Sequence, residues 1–272
     1  MLNRSNCGSA SVIPTRKSDH HNWISQRWNL MYLHSAKPYG NLLQVKNSLA
    51  SEFFEAVFFD MDGLLVDSEP LWLESETEIT GRYGYAWSDK DQVACLGGPL
   101  SKVGEYMYER CGREQSPEFF TQTLIEVQSS KLRGKTPLMP GAIELVQELQ
   151  SKGVATGLVS ASPRNIVNAV LENLHENPFP FTISSDDVVN TKPHPDAYLL
   201  AAQKAGAQIQ HSLIFEDSLT GIAAAKSSGA WLIAVPHLVY VEEEERIRRI
   251  GSLSEMSFSK LQELYANFNA EI

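Results

Sequence analysis

Glu55-Ala-Val-Phe-Phe-Asp60-Met-Asp62-Gly63-Leu-Leu-Val-Asp67-Ser68 is a short apolar run that ends in two carboxylates spaced i, i+2 and a glycine. Ala56 to Phe59 are continuously apolar, the pattern of a strand buried on both faces, as in a parallel sheet with helices on each side. Asp60 and Asp62 then fall at its carboxyl end, the edge at which open α/β sheets bind ligands. Two carboxylates so close repel each other and cost desolvation, so a cation or a proton is expected between them. Mg²⁺ suits such a pair, because it takes about six oxygen ligands, keeps several waters and accepts carboxylates, a backbone carbonyl and a substrate phosphate. Gly63 leaves the chain free to turn sharply. A lone Asp-x-Asp-Gly fits an ordinary acidic turn equally well, so the rest of the chain has to decide.

Downstream of Ser68 the periodicity is helical. Pro70 lies near a helix start, apolar residues recur through Trp72, Ile79 and Tyr83, and Gly84 suits the stop. Ser88 with Asp91 predicts a capped short helix that ends near Gly97-Gly98. Leu100, Val103, Met107 and Cys111 make a third amphipathic stripe closed by Gly112, and Ser116-Pro117 opens a fourth helix that runs toward Gly134. Four helices in succession predict a small bundle.

Past Pro140-Gly141 the period changes. A helix from Pro140 toward Lys152 precedes the apolar strand Val154 to Val159, and Ser162-Pro163 opens the next helix with Ser162 as its cap. Phe181 to Ser184, Leu213 to Phe215 and Trp231 to Val235 read as strands, with helices starting at Pro195 and Ser218 between them. The acidic run Glu242 to Glu245 reads as a solvated helix face. This alternation predicts an α/β fold with a doubly wound parallel sheet, Rossmann-like in plan, interrupted by an inserted α-helical cap. The expected core is residues 52–66 and 137–272, and the cap is residues 67–136. Residues 1–51 read as a mobile N-terminal extension, and the His20-His21 pair there as solvent-exposed.

The formal charge of −10 is unevenly spread: residues 1–50 carry six Lys or Arg and only Asp19, which leaves −15 for the remainder. Such a body repels polyanions, which argues against a nucleic-acid partner, and an anionic substrate would need local cations. Cys7, Cys95 and Cys111 have neither metal-type nor redox-type spacing and fit a reducing compartment. No apolar run approaches about 18 residues, so no membrane span is expected. A cytoplasmic monomer is the expectation, although the basic, Ser-containing, acid-poor start also fits an organelle-targeting peptide.

The opening stretch, continued as Phe59-Asp-Met-Asp-Gly-Leu-Leu-Val-Asp-Ser-Glu-Pro-Leu-Trp72, closely resembles the first motif of the haloacid dehalogenase-like phosphohydrolases. Within them it is most similar to the β-phosphoglucomutase-like and sugar-phosphatase branch. Three later stretches resemble the remaining motifs in the family's order: Leu158-Val-Ser160-Ala-Ser162, Thr191-Lys192-Pro193-His194-Pro195-Asp196, and Ile214-Phe215-Glu216-Asp217-Ser218. The resemblance covers residues 53–236 and includes the cap. It implies that Asp60 is a nucleophile that becomes an aspartyl phosphate and that Asp62 is the general acid and base. It also implies that Ser160 and Lys192 bind phosphate, while Asp60, the carbonyl of Asp62, and Asp217 hold Mg²⁺. Glu216 is a further metal candidate, acting directly or through water. Ser162 and Arg164 fall where substrate contacts are expected, and His194 and Asp196 read as turn and helix-start residues. A true dehalogenase is disfavoured, because that chemistry needs no metal and lacks the second aspartate.

Cap residues that select substrate in this branch often include an arginine after a glycine, whereas here the stretch reads Gly97-Gly98-Pro99-Leu100-Ser101-Lys102. Only Lys102 could stand in for it. That disfavours a mutase, which must grip a second phosphate in the cap. The expectation is a Mg²⁺-dependent phosphatase for a small phosphorylated metabolite, a sugar or sugar-alcohol phosphate. The alternatives are a β-phosphoglucomutase-like phosphotransferase and an inactive interaction protein of the same fold.

Overall fold

The structure is a computed structural model that describes residues 53–95, 98–134, 136–174, 176–236 and 240–270. The extension at 1–51, with Cys7 and the His20-His21 pair, lies outside the described residues, as do Glu52 and Gly97.

The opening run forms β1 (Ala56–Phe59), buried at every position. It is followed along the chain by β2 (Ala155–Val159), β3 (Thr182–Ile183), β4 (Ser212–Glu216), β5 (Trp231–Ala234) and β6 (Ile247–Arg249). They pair in the order β3-β2-β1-β4-β5-β6, and every pairing is parallel. The strand order reverses between β1 and β4. Phe59 stands level with Leu158 and Phe215, so β1, β2 and β4 deliver their following residues to one edge.

Side chains along β1 alternate between two apolar layers, as strand geometry requires. Val57 and Phe59 join Leu213 and Phe215 beneath α5 (Ala142–Ser151) and α6 (Arg164–Leu171). Ala56 and Phe58 join Ile214 and Leu232 beneath α7 (Asp196–Ala205) and α8 (Leu219–Ser228). Small residues on α7, Ala197, Ala201 and Ala202, bring that helix close to the sheet and leave Tyr198 as its one large buried side chain. A last helix, α9 (Phe258–Ala270), packs Phe258 against Phe53 with ring centroids 4.7 Å apart.

Between β1 and α5 lie four helices: α1 (Glu69–Gly81), α2 (Asp89–Cys95), α3 (Leu100–Arg110) and α4 (Pro117–Gly134). They form the cap. The two chain crossings that join it to the sheet are bonded to one another, through Asp67 N–H to Pro137 O and Met139 N–H to Leu65 O, both 2.9 Å, around a Val66–Leu138 bridge. None of the described helices is long and apolar enough to cross a membrane.

The acidic run is a correction. Residues 241–243 are irregular, and Glu244 instead makes an antiparallel bridge with Ile247 as the chain turns into β6. The acids are used as local partners, Glu244 for Lys226 at 2.6 Å and Glu243 for the backbone N–H of Arg249 at 2.9 Å. Charge patterning alone does not separate such a turn from an exposed helix.

The Ser88–Asp91 cap is present and more extensive than its spacing implies. Asp91 Oδ2 accepts from the N–H and Oγ of Ser88 at 2.8 and 2.5 Å, and Oδ1 accepts from the hydroxyls of Tyr85 and Tyr106 at 2.9 and 2.7 Å. Burial opposes ionisation of this carboxyl, but these donors outweigh it and hold its pKa well below the usual carboxylate range. Asp91→Ala strands the donors and is expected to cost roughly 2–3 kcal/mol of stability, measured by chemical denaturation. Because the folded pKa is depressed, the Asp91 contribution is complete above its unfolded value near 3.8 and fades as pH falls below it. The parent should therefore lose its advantage over the variant in acid, and an advantage independent of pH between about 2 and 7 would contradict this account.

Candidate active site

Three strand ends and one turn converge at the reversal in strand order. Asp60 leaves β1 with its N–H bonded to Phe215 O at 3.1 Å, which ties the end of β1 to the end of β4. Lys192 reaches in from the turn before α7, which contains a cis Lys192–Pro193 bond. Its buried ammonium donates to Asp60 Oδ1 at 2.6 Å, Glu216 Oε1 at 2.6 Å and Val159 O at 2.8 Å, so all its donors are used. Tyr198 sits behind this pair, with its hydroxyl donating to Glu216 Oε1 at 2.7 Å and its ring 4.8 Å from the ammonium.

Glu216 is fully buried at the end of β4. Its second oxygen accepts from the N–H groups of Asp217 and Ser218 at 3.1 and 3.3 Å and from Ser218 Oγ at 3.3 Å, while Ser218 Oγ caps α8 by accepting from Gly221 N–H. A Cβ on Gly221 would lie 1.7 Å from Glu216 Oε1, so only glycine admits the carboxylate beneath that helix start. Gly63, at φ +81°, plays the same part for Asp217, whose Oδ2 would be 2.2 Å from an added Cβ. Glycine there serves both the turn and the approach of the neighbouring acid.

Asp62 faces a different set of partners. Its Oδ1 accepts from Ser68 Oγ at 2.8 Å, and its Oδ2 accepts from Ser162 Oγ at 2.8 Å and Ser160 Oγ at 3.3 Å. Ser162 is thus not the cap of α6. Pro163 occupies that position without a side-chain bond, and the first free N–H, of Arg164, is taken by Asp186 at 2.9 Å. The Arg164 guanidinium is committed to Asp187 and to Thr182 Oγ1, and does not join the cluster. Lys102 is exposed on α3 and stands outside it as well. His194 pairs with Asp196 at 2.8 Å, and Asp196 is the first residue of α7, a turn and a helix start as expected.

The charge balance is unequal. Asp60, Glu216 and Asp217 each bring an oxygen within 4.8 Å of the others, and Lys192 is the ammonium that faces them. Burial, with the negative charge of Glu216, pushes the Asp60 carboxyl up to about 8. Burial and then Asp60 and Glu216 raise Asp217 well above the carboxylate range. For Lys192 burial acts downward, but the two carboxylates outweigh it and keep the amine protonated. Asp217 Oδ1 is buried with no hydrogen-bond partner. Excess negative charge, an all-oxygen donor set and an orphaned carboxylate oxygen fit a hard divalent cation. These residues can hold a metal ion.

Tyr198, Ser68 and the Val159 carbonyl are parts of the site that their sequence setting does not announce. For Tyr198 there is a usable signal: one tyrosine among alanines on an otherwise apolar helix face must bury a hydroxyl, which then needs a partner.

Residues 57–235 match the sequence profile of the haloacid dehalogenase-like hydrolases. The chain is 33% identical over 184 residues to hexitol phosphatase B of Escherichia coli (strain K12), covering 66% of this chain and 83% of that one. It is 30% identical over 176 residues to a phosphorylated carbohydrates phosphatase of Thermotoga maritima, covering 64% and 82%. The crystal structure of β-phosphoglucomutase from Clostridium difficile has the same fold, with a TM-score of 0.69 at 22% identity over 80% of this chain and 100% of that one. The chain belongs to the haloacid dehalogenase-like hydrolases.

Because an incoming cation displaces protons from Asp60 and Asp217, its binding should strengthen as pH rises toward the Asp60 value of about 8. Mg²⁺ is expected to raise the thermal midpoint of the full chain more at pH near 8 than near 6, and Asp217→Asn to abolish the increment. A midpoint indifferent to Mg²⁺ at both pH values would remove the cation site.

Proposed function

We propose that the protein is a Mg²⁺-dependent phosphatase that hydrolyses a small phosphomonoester, a sugar or sugar-alcohol phosphate, through a phosphorylated Asp60. The observation that carries this reading is the disposition of the two aspartates. Asp60 has one oxygen immobilised by buried Lys192, and Asp62, two residues on, is presented on the other side by hydroxyls of Ser68, Ser160 and Ser162. The substrate class draws support from the two phosphatases of phosphorylated carbohydrates to which the chain is similar.

In this reading Lys192 occupies Oδ1 of Asp60 and orients the carboxylate, so that Oδ2 attacks phosphorus in line with the departing alkoxide. A divalent cation held by Asp60, Asp217 and the Asp62 carbonyl, with Glu216 behind, would neutralise charge on the transferring phosphoryl group. Ser160 contributes a hydroxyl to the phosphate oxygens, and Lys192, its donors held by Asp60, Glu216 and the Val159 carbonyl, offsets their charge from behind the nucleophile. Asp62 gives a proton to the leaving alkoxide, then takes one from the water that attacks the phosphorylated Asp60. That exchange requires Asp62 to turn from its serine partners toward the leaving oxygen. Tyr198 and the first turn of α8 fix Glu216, which in turn fixes Lys192.

Asp60→Asn keeps the size of the side chain and removes the nucleophile. It is expected to lower kcat at least about 1000-fold, about 4 kcal/mol in barrier, with an unaltered fold by circular dichroism. Retention of activity within about tenfold would overturn the assignment of Asp60. A panel of hexitol phosphates, hexose phosphates, nucleotides and bisphosphates, read by phosphate release, is expected to rank the first two classes highest. With β-glucose 1-phosphate and catalytic glucose 1,6-bisphosphate, free phosphate should form faster than glucose 6-phosphate. The reverse order would replace the phosphatase reading with the mutase one.

A further inference from the structure

Asp60, Glu216 and Asp217 each bring an oxygen within 4.8 Å of the others, but those oxygens are not equally free. Glu216 Oε1 accepts from the Lys192 ammonium at 2.6 Å and from the Tyr198 hydroxyl at 2.7 Å. Its Oε2 accepts from the N–H groups of Asp217 and Ser218 at 3.1 and 3.3 Å and from Ser218 Oγ at 3.3 Å. An ionised carboxylate offers about four lone-pair sites. Five donors face this one, so none of its sites is left for a further ligand. Asp217 is the opposite case, since its buried Oδ1 has no hydrogen-bond partner.

The Glu216 head group is also hemmed in. It is fully buried, and a Cβ on Gly221 would fall 1.7 Å from Oε1, 1.9 Å from Cδ and 2.2 Å from Oε2, so the carboxylate lies against the backbone at the start of α8. The N–H groups there have no partner within the helix and favour a fixed anion. To reach a cation, Glu216 would have to release Lys192 or Tyr198, both of them buried. Either release strands a buried ammonium or a buried hydroxyl, which costs more than the bond itself is worth.

Resting on the cation site and the phosphatase reading, we propose that Glu216 is not a ligand of the divalent cation but the fixed counter-ion of Lys192. The Tyr198 hydroxyl is the positioning group that completes its shell and keeps it turned to the lysine. The carboxylates left for the cation are those of Asp60 and Asp217. Glu216 thereby holds Lys192 in register through both halves of the reaction, while Asp60 gains and loses its phosphoryl group. The two neighbouring acids at the end of β4 thus divide the work, Glu216 for the lysine and Asp217 for the metal.

The test is the Mg²⁺ concentration that gives half of the metal-dependent rise in thermal midpoint, measured on the full chain without substrate, beside steady-state hydrolysis of p-nitrophenyl phosphate. Changing the group that orients a metal ligand costs about 10- to 100-fold in metal affinity. Tyr198→Phe keeps the ring and removes only the hydroxyl, so it is expected to shift that half-point by less than about fivefold. Its kcat is expected to fall about tenfold or more while KM changes by less than about threefold, a split that a general loss of folding does not produce. Glu216→Gln should still respond to Mg²⁺, whereas Asp217→Asn should not. A larger shift in Tyr198→Phe, or a folded Glu216→Gln without any response to Mg²⁺, would make Glu216 a ligand and overturn the proposal. Parental kcat in Tyr198→Phe would overturn the positioning role, and that variant decides alone if Glu216→Gln does not fold. A parent protein whose midpoint ignores Mg²⁺ would remove the cation site and this inference together. One that responds to Mg²⁺ but hydrolyses no phosphomonoester would remove the phosphatase reading, and the midpoints alone then decide whether Glu216 is a ligand.

Discussion

One buried ammonium holds the centre of this molecule together. Lys192 is buried and bridges Asp60 and Glu216, and its third donor pins it to the carbonyl at the end of β2. Breaking such a network by removing one member leaves an uncompensated buried charge, which is far costlier than the net value of the pair. The network also joins three separate strands, β1, β2 and β4, at their carboxyl ends. The sheet's geometry and the site's electrostatics are therefore the same constraint: the acids sit together only if the strands pair in this order. That order in turn positions the turn that carries Lys192.

Much of this arrangement is legible in the sequence because strand-end chemistry is local. Asp60, Ser160 and Glu216-Asp217 each follow an apolar run within a residue or two, so recognising the run locates the polar group. The four cap helices announce themselves through capping residues and glycine stops, and the observed helices begin and end within a few residues of those signals. What the sequence leaves unread depends on tertiary pairing. Ser162 before Pro163 looks like a helix cap, and nothing nearby indicates that its hydroxyl turns to a carboxylate 100 residues earlier in the chain. Arg164 is drawn away by Asp187, an acid whose own placement depends on the short strand β3. β6 carries two arginines in three residues, because an edge strand needs only one apolar side chain against the core, and that composition hides it.

The division of labour between sheet and cap follows from charge. The sheet edge gathers acids and one lysine into a single cluster, and glycines at 63 and 221 let carboxylates approach the backbone closely. On the cap, Lys102 is exposed on α3 and stands outside that cluster, and Arg82, Lys131 and Arg133 are paired with glutamates elsewhere. The candidate catalytic groups thus lie in the part of the fold with the least freedom to vary.

The paired crossings at Leu65–Asp67 and Pro137–Met139 give this division a topological basis. Because the chain leaves and re-enters the sheet through two segments that are hydrogen-bonded side by side, the cap is a closed loop with touching ends. The entropic cost of such a loop grows only as the logarithm of its length, about 0.6 kcal/mol for each doubling. The sheet is thus nearly indifferent to what the loop contains. A cap of different size or helix number could be exchanged at that ribbon without the core registering more than a small change in stability. The ribbon is therefore the natural seam along which an enzyme of this build acquires a new substrate.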